Sequence, residues 1–345
     1  MRAVAIALVL LMAAQISTAQ DNKPHLELAL PTDNDALFRG EGAAFYQVIA
    51  RDFQGVESTP WEGGQYGFVR DPIETPAGII YKRFHEGIDL RPLHRDAHGE
   101  PLDEVRAMAE GKVVHTNLVS GFSNYGRFVV IEHKWDGAKY YSLYAHLNSI
   151  AVQVGQRVQH GERLGVIGHT GAGIDRERAH VHVELNLMLS REFESWYNIY
   201  FRNDPNRHGL YNGLNLAGIN IARLYLALRK QPSLTIPEFL AQETTLYKVA
   251  LPVSKHFDLL KRYPWLLRSP ASRDTKSWEI SFAQSGVPLK IEPSSKAVTQ
   301  PELTYFKRSG ARYWDLTRET LTGSGEHASL SENGRRWMQL LTYPD

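Results

Sequence analysis

Three short patches of this sequence combine residue types that can hold a metal ion and move a proton. The first is His85-Glu86-Gly87-Ile88-Asp89. The second is Tyr144-Ala145-His146-Leu147, and the third is His180-Val181-His182-Val183-Glu184. In a strand, residues two apart share a face at about 6.5–7 Å. His180 and His182 therefore project from one side of one strand, and Val181 and Val183 from the other. Both imidazoles could ligate one ion, or one could ligate while the other reaches a water on that ion. His85 and Asp89 are four residues apart, about 13 Å if extended, which is too far for sharing an ion. The chain must bend between them, and Gly87 permits the bend. His, Asp and a distant His make three nitrogen and oxygen ligands and leave a fourth tetrahedral position for water, as a catalytic zinc site needs. Zinc brings the pKa of such a water to about 7, and a histidine that does not ligate can take its proton. Each patch alone also has an ordinary reading: an incidental His-x-His, a turn, or a piece of core strand. The weight lies in all three occurring together, in this order.

The elements that position these patches read as strands. KVVHTNLV, RFVVIEH, KYYSLYAHL and HVHVELNLML are rich in Val, Ile and Tyr and alternate partly with period two. Glycines separate them, and Asp136-Gly137 is a hairpin signal. After Ser190 the pattern changes. Residues 214–230 carry apolar positions at helical spacing, and 236–247 and 254–263 read as short helices. Residues 278–291 read as strands, and 327–341 as a last helix starting near Ser331. The expected fold class is mainly β. An antiparallel β-sheet or sandwich domain spans 45–192, and a mixed α/β extension of unassigned role spans 193–345. Residues 20–44 read as an arm or linker. Residues 1–19 read as a signal peptide, with Arg2 ahead of an apolar run too short for a bilayer of about 30 Å. Ser17-Thr18-Ala19 then supplies the small residues of a cleavage site after Ala19. The mature protein is expected to be exported, periplasmic or extracellular, with no membrane span.

Composition limits the chemistry. The chain has 345 residues and is 43% hydrophobic, which suits about two globular domains. It has no cysteine, so disulfides, thiolate-bound metals and cysteine nucleophiles are excluded. A transition metal must sit on Asp, Glu or some of the 14 histidines. Lys+Arg is 39 against 38 Asp+Glu, a balance that argues against a nucleic-acid partner.

Taken together the patches resemble the M23 metallopeptidases, the lysostaphin-like or LytM-type zinc endopeptidases of bacterial cell walls. Their pattern is H-x-G-x-D, a strand ending in x-H-L, a glycine-rich turn, and H-x-H. Here it reads HEGID, YAHLNSI, VGQRVQHGERLGVIGHTG and HVHVE, over residues 78–188. The resemblance implies that His85, Asp89 and His182 bind zinc. It implies that His180 and His146 are non-ligating catalytic histidines. His180 would be the general base, and His146 would orient the water or stabilise the oxyanion. The implied activity is a secreted endopeptidase cutting peptidoglycan stems or cross-bridges, with peptidoglycan or another peptide as the partner. Two departures are expected at the rim of the site. RPLHRDAHGEPLDEVRAMAEG after Asp89 is longer than usual, and GAGIDRERA replaces a short S-T-G-P-H turn.

Other readings are weaker. A non-catalytic wall-binding or amidase-activator protein on the same fold is the main alternative, and the intact ligand set argues against it. VGQRVQHGERLGVIGHTG also resembles a biotinyl or lipoyl carrier turn, but no Lys occurs from 140 to 190. A cupin would place its other ligands after the His-x-His. Glu86 should alternate away from its neighbouring ligand. Glu184 should hydrogen-bond an imidazole rather than ligate. Tyr144 reads as core. His94, His98, His115, His133, His160 and His169 read as solvent-facing or turn residues, with His94 and His98 placed to approach the site. Residues 175–178 read as a solvated loop. Trp265, Trp278, Tyr305, Tyr313, Trp314 and Trp337 read as core rather than a sugar platform.

Overall fold

The computed structural model describes residues 26–47, 51–53, 56–58, 61–75 and 78–344. The signal-peptide expectation at 1–19 lies outside the described residues. The fold is mainly β, and its sheets are antiparallel.

The central sheet runs in the order Arg157–Val158, Gly111–Asn117, Phe128–Trp135, Ala138–Ala145, Val181–Met188, Leu216–Gly218. The short Ile88–Leu90 strand also pairs with Val181–Met188. Alternation sends Val129, Ile131, Val181, Val183, Leu185 and Leu187 into one apolar cluster. Phe128, Val130, Leu143 and Met188 enter a second cluster on the opposite face. The sheet is therefore covered on both sides, and all of Val181–Met188 is buried. The hairpin expected at Asp136-Gly137 forms, with φ of 52° and 71°.

The register of this sheet assembles the three patches. His182 lies opposite Asp89 on one side and opposite Ala145 on the other. Directly opposed residues hold their Cβ atoms about 4.5–5.5 Å apart. One strand end thus gathers Asp89, His182 and, one residue past Ala145, His146. Gly87 contributes by close approach: a Cβ there would lie 2.3 Å from the Val183 carbonyl oxygen. Gly87→Ala should push the motif loop off the Val181–Met188 strand. We expect a loss of about 1–3 kcal/mol, the usual cost of overpacking, with weakened metal binding. Thermal unfolding and metal titration of the variant check this.

Beyond residue 192 the chain adds more than a separate layer. Leu216–Gly218, expected inside a helix, instead pairs with Asn186–Met188 as a sheet edge. Leu216 and Ala217 are buried there, and Asn220 then caps a helix at Ile221–Lys230. Ile236–Leu240 is helical behind a Thr235–Glu238 capping box. Tyr247–Pro252 is a strand rather than a helix end. It joins a four-stranded sheet with Ser277–Phe282, Pro288–Ser294 and Glu302–Phe306. Ser331 caps the Glu332–Leu340 helix, as the sequence suggests. The arm is packed too: Leu26, Ala36 and Leu37 are buried in the main core, and Tyr225 donates to the Ala29 carbonyl at 2.7 Å.

Candidate functional site

Five side chains from the three patches meet in one place. His85 Nε2 lies 3.0 Å from His182 Nδ1 and 3.1 Å from Asp89 Oδ1. His182 Nδ1 lies 2.9 Å from the same oxygen. His180 Nε2 stands 3.5 Å from it. The His146 ring packs edge-on against His180, with centroids 4.7 Å apart. His85, Asp89 and His182 form a group that could hold a metal ion, with ligand atoms all within 4.8 Å of one another. All five residues are buried.

Each imidazole has one nitrogen committed to an acceptor. His85 Nδ1 is 2.7 Å from the Gln65 carbonyl, and His182 Nε2 is 2.7 Å from Glu184 Oε1. His180 Nδ1 is 2.7 Å from the Arg178 carbonyl, and His146 Nδ1 is 2.9 Å from the Thr170 carbonyl. In the neutral rings of His85, His180 and His146 these bonds favour the Nδ1–H tautomer and leave the Nε2 lone pairs free, whereas His182 faces an acceptor at both nitrogens, Asp89 at Nδ1 and Glu184 at Nε2. His146 adopts a left-handed backbone, φ 63°, which costs a side-chain-bearing residue about 1–2 kcal/mol. The Tyr125 carbonyl holds it there by accepting from the His146 amide at 3.0 Å.

Comparison with known proteins fits this arrangement. Residues 83–192 match the family model described as Peptidase family M23. Residues 83–192 form an M23 peptidase domain. The chain is 32% identical over 134 residues to an uncharacterized metalloprotease of Haemophilus influenzae, a match covering 35% of this chain and 25% of that protein. It is 42% identical over 60 residues to the peptidoglycan DD-endopeptidase ShyA of Vibrio cholerae, covering 17% and 13% respectively. The matches thus span a quarter or less of these curated relatives. Among solved structures, the lysostaphin catalytic domain from Staphylococcus simulans is 25% identical, covering 37% of this chain and 84% of that one at a TM-score of 0.24.

Electrostatics in the M23 domain follow from burial and pairing. Burial alone would raise the Asp89 carboxyl. His85, His180 and Arg70, with the hydrogen bond from His182, hold it well below the usual carboxylate range. Burial lowers His85 and His180, and lowers His146 strongly with help from the neighbouring imidazoles. His182 goes the other way. Burial opposes its charge, but hydrogen bonds to Asp89 and Glu184 lift it to about 9.

Several groups support the site, and two of them, Arg70 and Tyr125, have no local sequence signal. Arg70 Nη2 donates to Asp89 Oδ2 at 2.5 Å, leaving Oδ1 for the centre. Tyr125 donates to Glu184 Oε1 at 2.8 Å, and Asn186 Nδ2 to Oε2 at 2.9 Å. Glu184 is therefore a hydrogen-bond partner of His182, as its place on the strand face suggests. The period-two run His182, Glu184, Asn186 on a fully buried strand was the available clue to Asn186.

The remaining candidates sort by contact. Glu86 points away from the cluster to Arg318, 2.8 Å away. His94 bonds Asp103 at 3.3 Å rather than the site, and His98 is exposed. His133, expected at the surface, is buried between the Glu110 carbonyl and Ser142 Oγ. Tyr144 is core, its hydroxyl accepting from the Met108 amide at 2.8 Å. A cleft of about 1080 Å³ opens over the cluster, and Tyr197, His208, Arg312, Trp314 and Arg318 also line it. Trp314 is 38% exposed there, while Tyr313 beside it is buried.

Proposed function

We propose that this chain is an exported zinc-dependent endopeptidase that cuts peptide bonds in peptidoglycan stems or cross-bridges. The observation that carries this reading is the convergence of His85, Asp89 and His182 with two lone-pair-bearing histidines beside them. The donor set fits the metal. Its three ligand atoms form a triangle with sides of 3.0, 3.1 and 2.9 Å. Such a triangle has a point about 2.1 Å from every corner, within the range of zinc bonds to imidazole and carboxylate.

Zinc supplies Lewis acidity there, making water nucleophilic near neutral pH and polarising a carbonyl. The chain's own residues do the rest. Burial keeps His180 neutral, so its Nε2 can accept the proton of the attacking water. The Arg178 carbonyl fixes the ring while it does so. His146 Nε2 faces the same space and can hydrogen-bond the oxygen on which charge develops. The relative named as a peptidoglycan DD-endopeptidase supports peptidoglycan as the substrate.

Purified protein should carry about one zinc per chain and release soluble fragments from purified peptidoglycan. The fragment masses locate the bond that is cut. Folded protein that binds no metal would return the chain to the activator reading.

Metal uptake should also release a proton. With a pKa of about 9, His182 is an imidazolium at pH 7 in the metal-free protein. A ligand nitrogen must be deprotonated, so the Nδ1 proton would have to leave His182 before it could ligate. Apparent affinity should rise roughly tenfold per pH unit up to about 9 and then level. Calorimetry in buffers of different ionisation heat reads the proton count; zero protons at pH 7 contradicts the expectation.

A further inference from the structure

We propose that Arg178 is a specificity-determining residue that binds a carboxylate of the substrate near the scissile bond. The inference rests on the peptidase reading and adds a chemical class to it.

Among the described residues, five arginines line the cleft: Arg70, Arg83, Arg178, Arg312 and Arg318. Four of them face a carboxylate. Arg70 pairs with Asp89, Arg83 with Asp71, Arg312 with Asp315 and Arg318 with Glu86. Arg178 has no carboxylate partner among the described residues. Its Nη1 donates to the Gly173 carbonyl at 2.8 Å, and its Nε is buried without an acceptor. Lys82 in the same cleft also has no carboxylate partner among the described residues, but it is exposed and water can satisfy its ammonium.

Position makes Arg178 the relevant charge. It stands two residues before His180, and its own carbonyl orients that imidazole at 2.7 Å. A group held by its side chain therefore lies close to the reacting centre. The loop beneath is built to hold it. Asp175 Oδ1 accepts from the Arg178 amide at 2.9 Å. Arg95, from the other insertion, donates to the Arg176 and Glu177 carbonyls at 2.8 and 3.2 Å. The two inserted segments thus brace each other at the rim of the cleft. A guanidinium offers a planar fork that matches a carboxylate with two parallel hydrogen bonds. The half-exposed side chain can turn its unclaimed NH groups into the cleft.

The test uses soluble muropeptides that the wild-type enzyme cuts, before and after amidation of their carboxylates. Wild type should prefer the free acids by at least tenfold in kcat/KM. In Arg178→Gln the acid-to-amide ratio should fall to near one. Arg178→Lys should keep part of the preference, because it keeps the charge and loses the fork. Synthetic stems with only the terminal or only an internal carboxylate amidated identify which group is bound. Zinc content and thermal unfolding of the variants report on the fold. Fluorescence anisotropy of the same acid and amide peptides, with wild type and Arg178→Gln, tests recognition without turnover. An unchanged ratio in Arg178→Gln, or equal losses on acid and amide, overturns the proposal. Failure of wild type to cut either form would count against the peptidase reading instead, and the anisotropy ratio would still decide the role of Arg178.

Discussion

His182→Ala should lose bound zinc and peptide hydrolysis together. His182 is central to the site: its Nδ1 sits 2.9 Å from Asp89 and 3.0 Å from His85 Nε2, and its Nε2 is bound to Glu184. Removing it takes away one of three ligands, so zinc affinity should fall by more than the roughly 10–100-fold that a lost outer partner costs. Hydrolysis should drop below detection. The variant also takes the charged partner from Glu184, a carboxylate with no exposed surface that keeps only the neutral donors Tyr125 and Asn186. Breaking a buried charge pair in this way destabilises by about 3–5 kcal/mol. Loss of metal must therefore be separated from loss of fold. Glu184→Gln provides the control, because the amide oxygen can still accept from His182 Nε2 while the negative charge is gone. It should stay folded, with zinc affinity reduced by about 10–100-fold. Metal content, competition with a chelator and thermal unfolding, measured on both variants, decide the matter. Wild-type zinc content or a wild-type rate in His182→Ala would remove His182 from the ligand set.

The legibility of this site in the sequence has a physical cause. His85 and Asp89 share one bend, His180 and His182 sit at the start of one strand, and His146 directly follows the end of another, so most of the geometry is local. The residues that tune the site are not local. Arg70 reaches Asp89 from the Gly67–Thr75 strand of a hairpin, and Tyr125 reaches Glu184 across 59 positions. No spacing rule announces such pairs. The wall supplied by Arg312, Trp314 and Arg318 is equally invisible before folding.

Secondary structure follows the same division. Ser331 marks its helix because a capping hydroxyl acts within one turn. Leu216–Gly218 carries helical spacing, yet it forms a strand because Asn186–Met188 offers an open edge. Gly87 was legible as a bend. The closeness of the Val183 carbonyl, which excludes any side chain there, appears only in three dimensions.

His180→Ala should separate chemistry from metal binding. In our reading His180 does not ligate, so the variant should retain zinc at the wild-type level. Its Nε2 lies 3.5 Å from Asp89 Oδ1, on the rim of the proposed ligand triangle, and its other nitrogen is spent on the Arg178 carbonyl. Losing a general base costs about 10²–10⁴ in rate. The loss should fall on kcat, because the ring is placed to act on water rather than to hold the peptide. His146→Ala should also keep zinc and lose kcat, since its ring packs against His180 and lines the same cleft. The acid limb of the wild-type rate carries the same information. Burial lowers the His180 pKa below its ordinary 6.5. The neutral, proton-accepting form then persists below pH 6.5, and activity is lost only as the imidazolium forms at more acid pH. In His180→Ala that limb should disappear from the residual activity. Loss of zinc from His180→Ala would make it a ligand, and an unchanged kcat would leave His146 as the only candidate base.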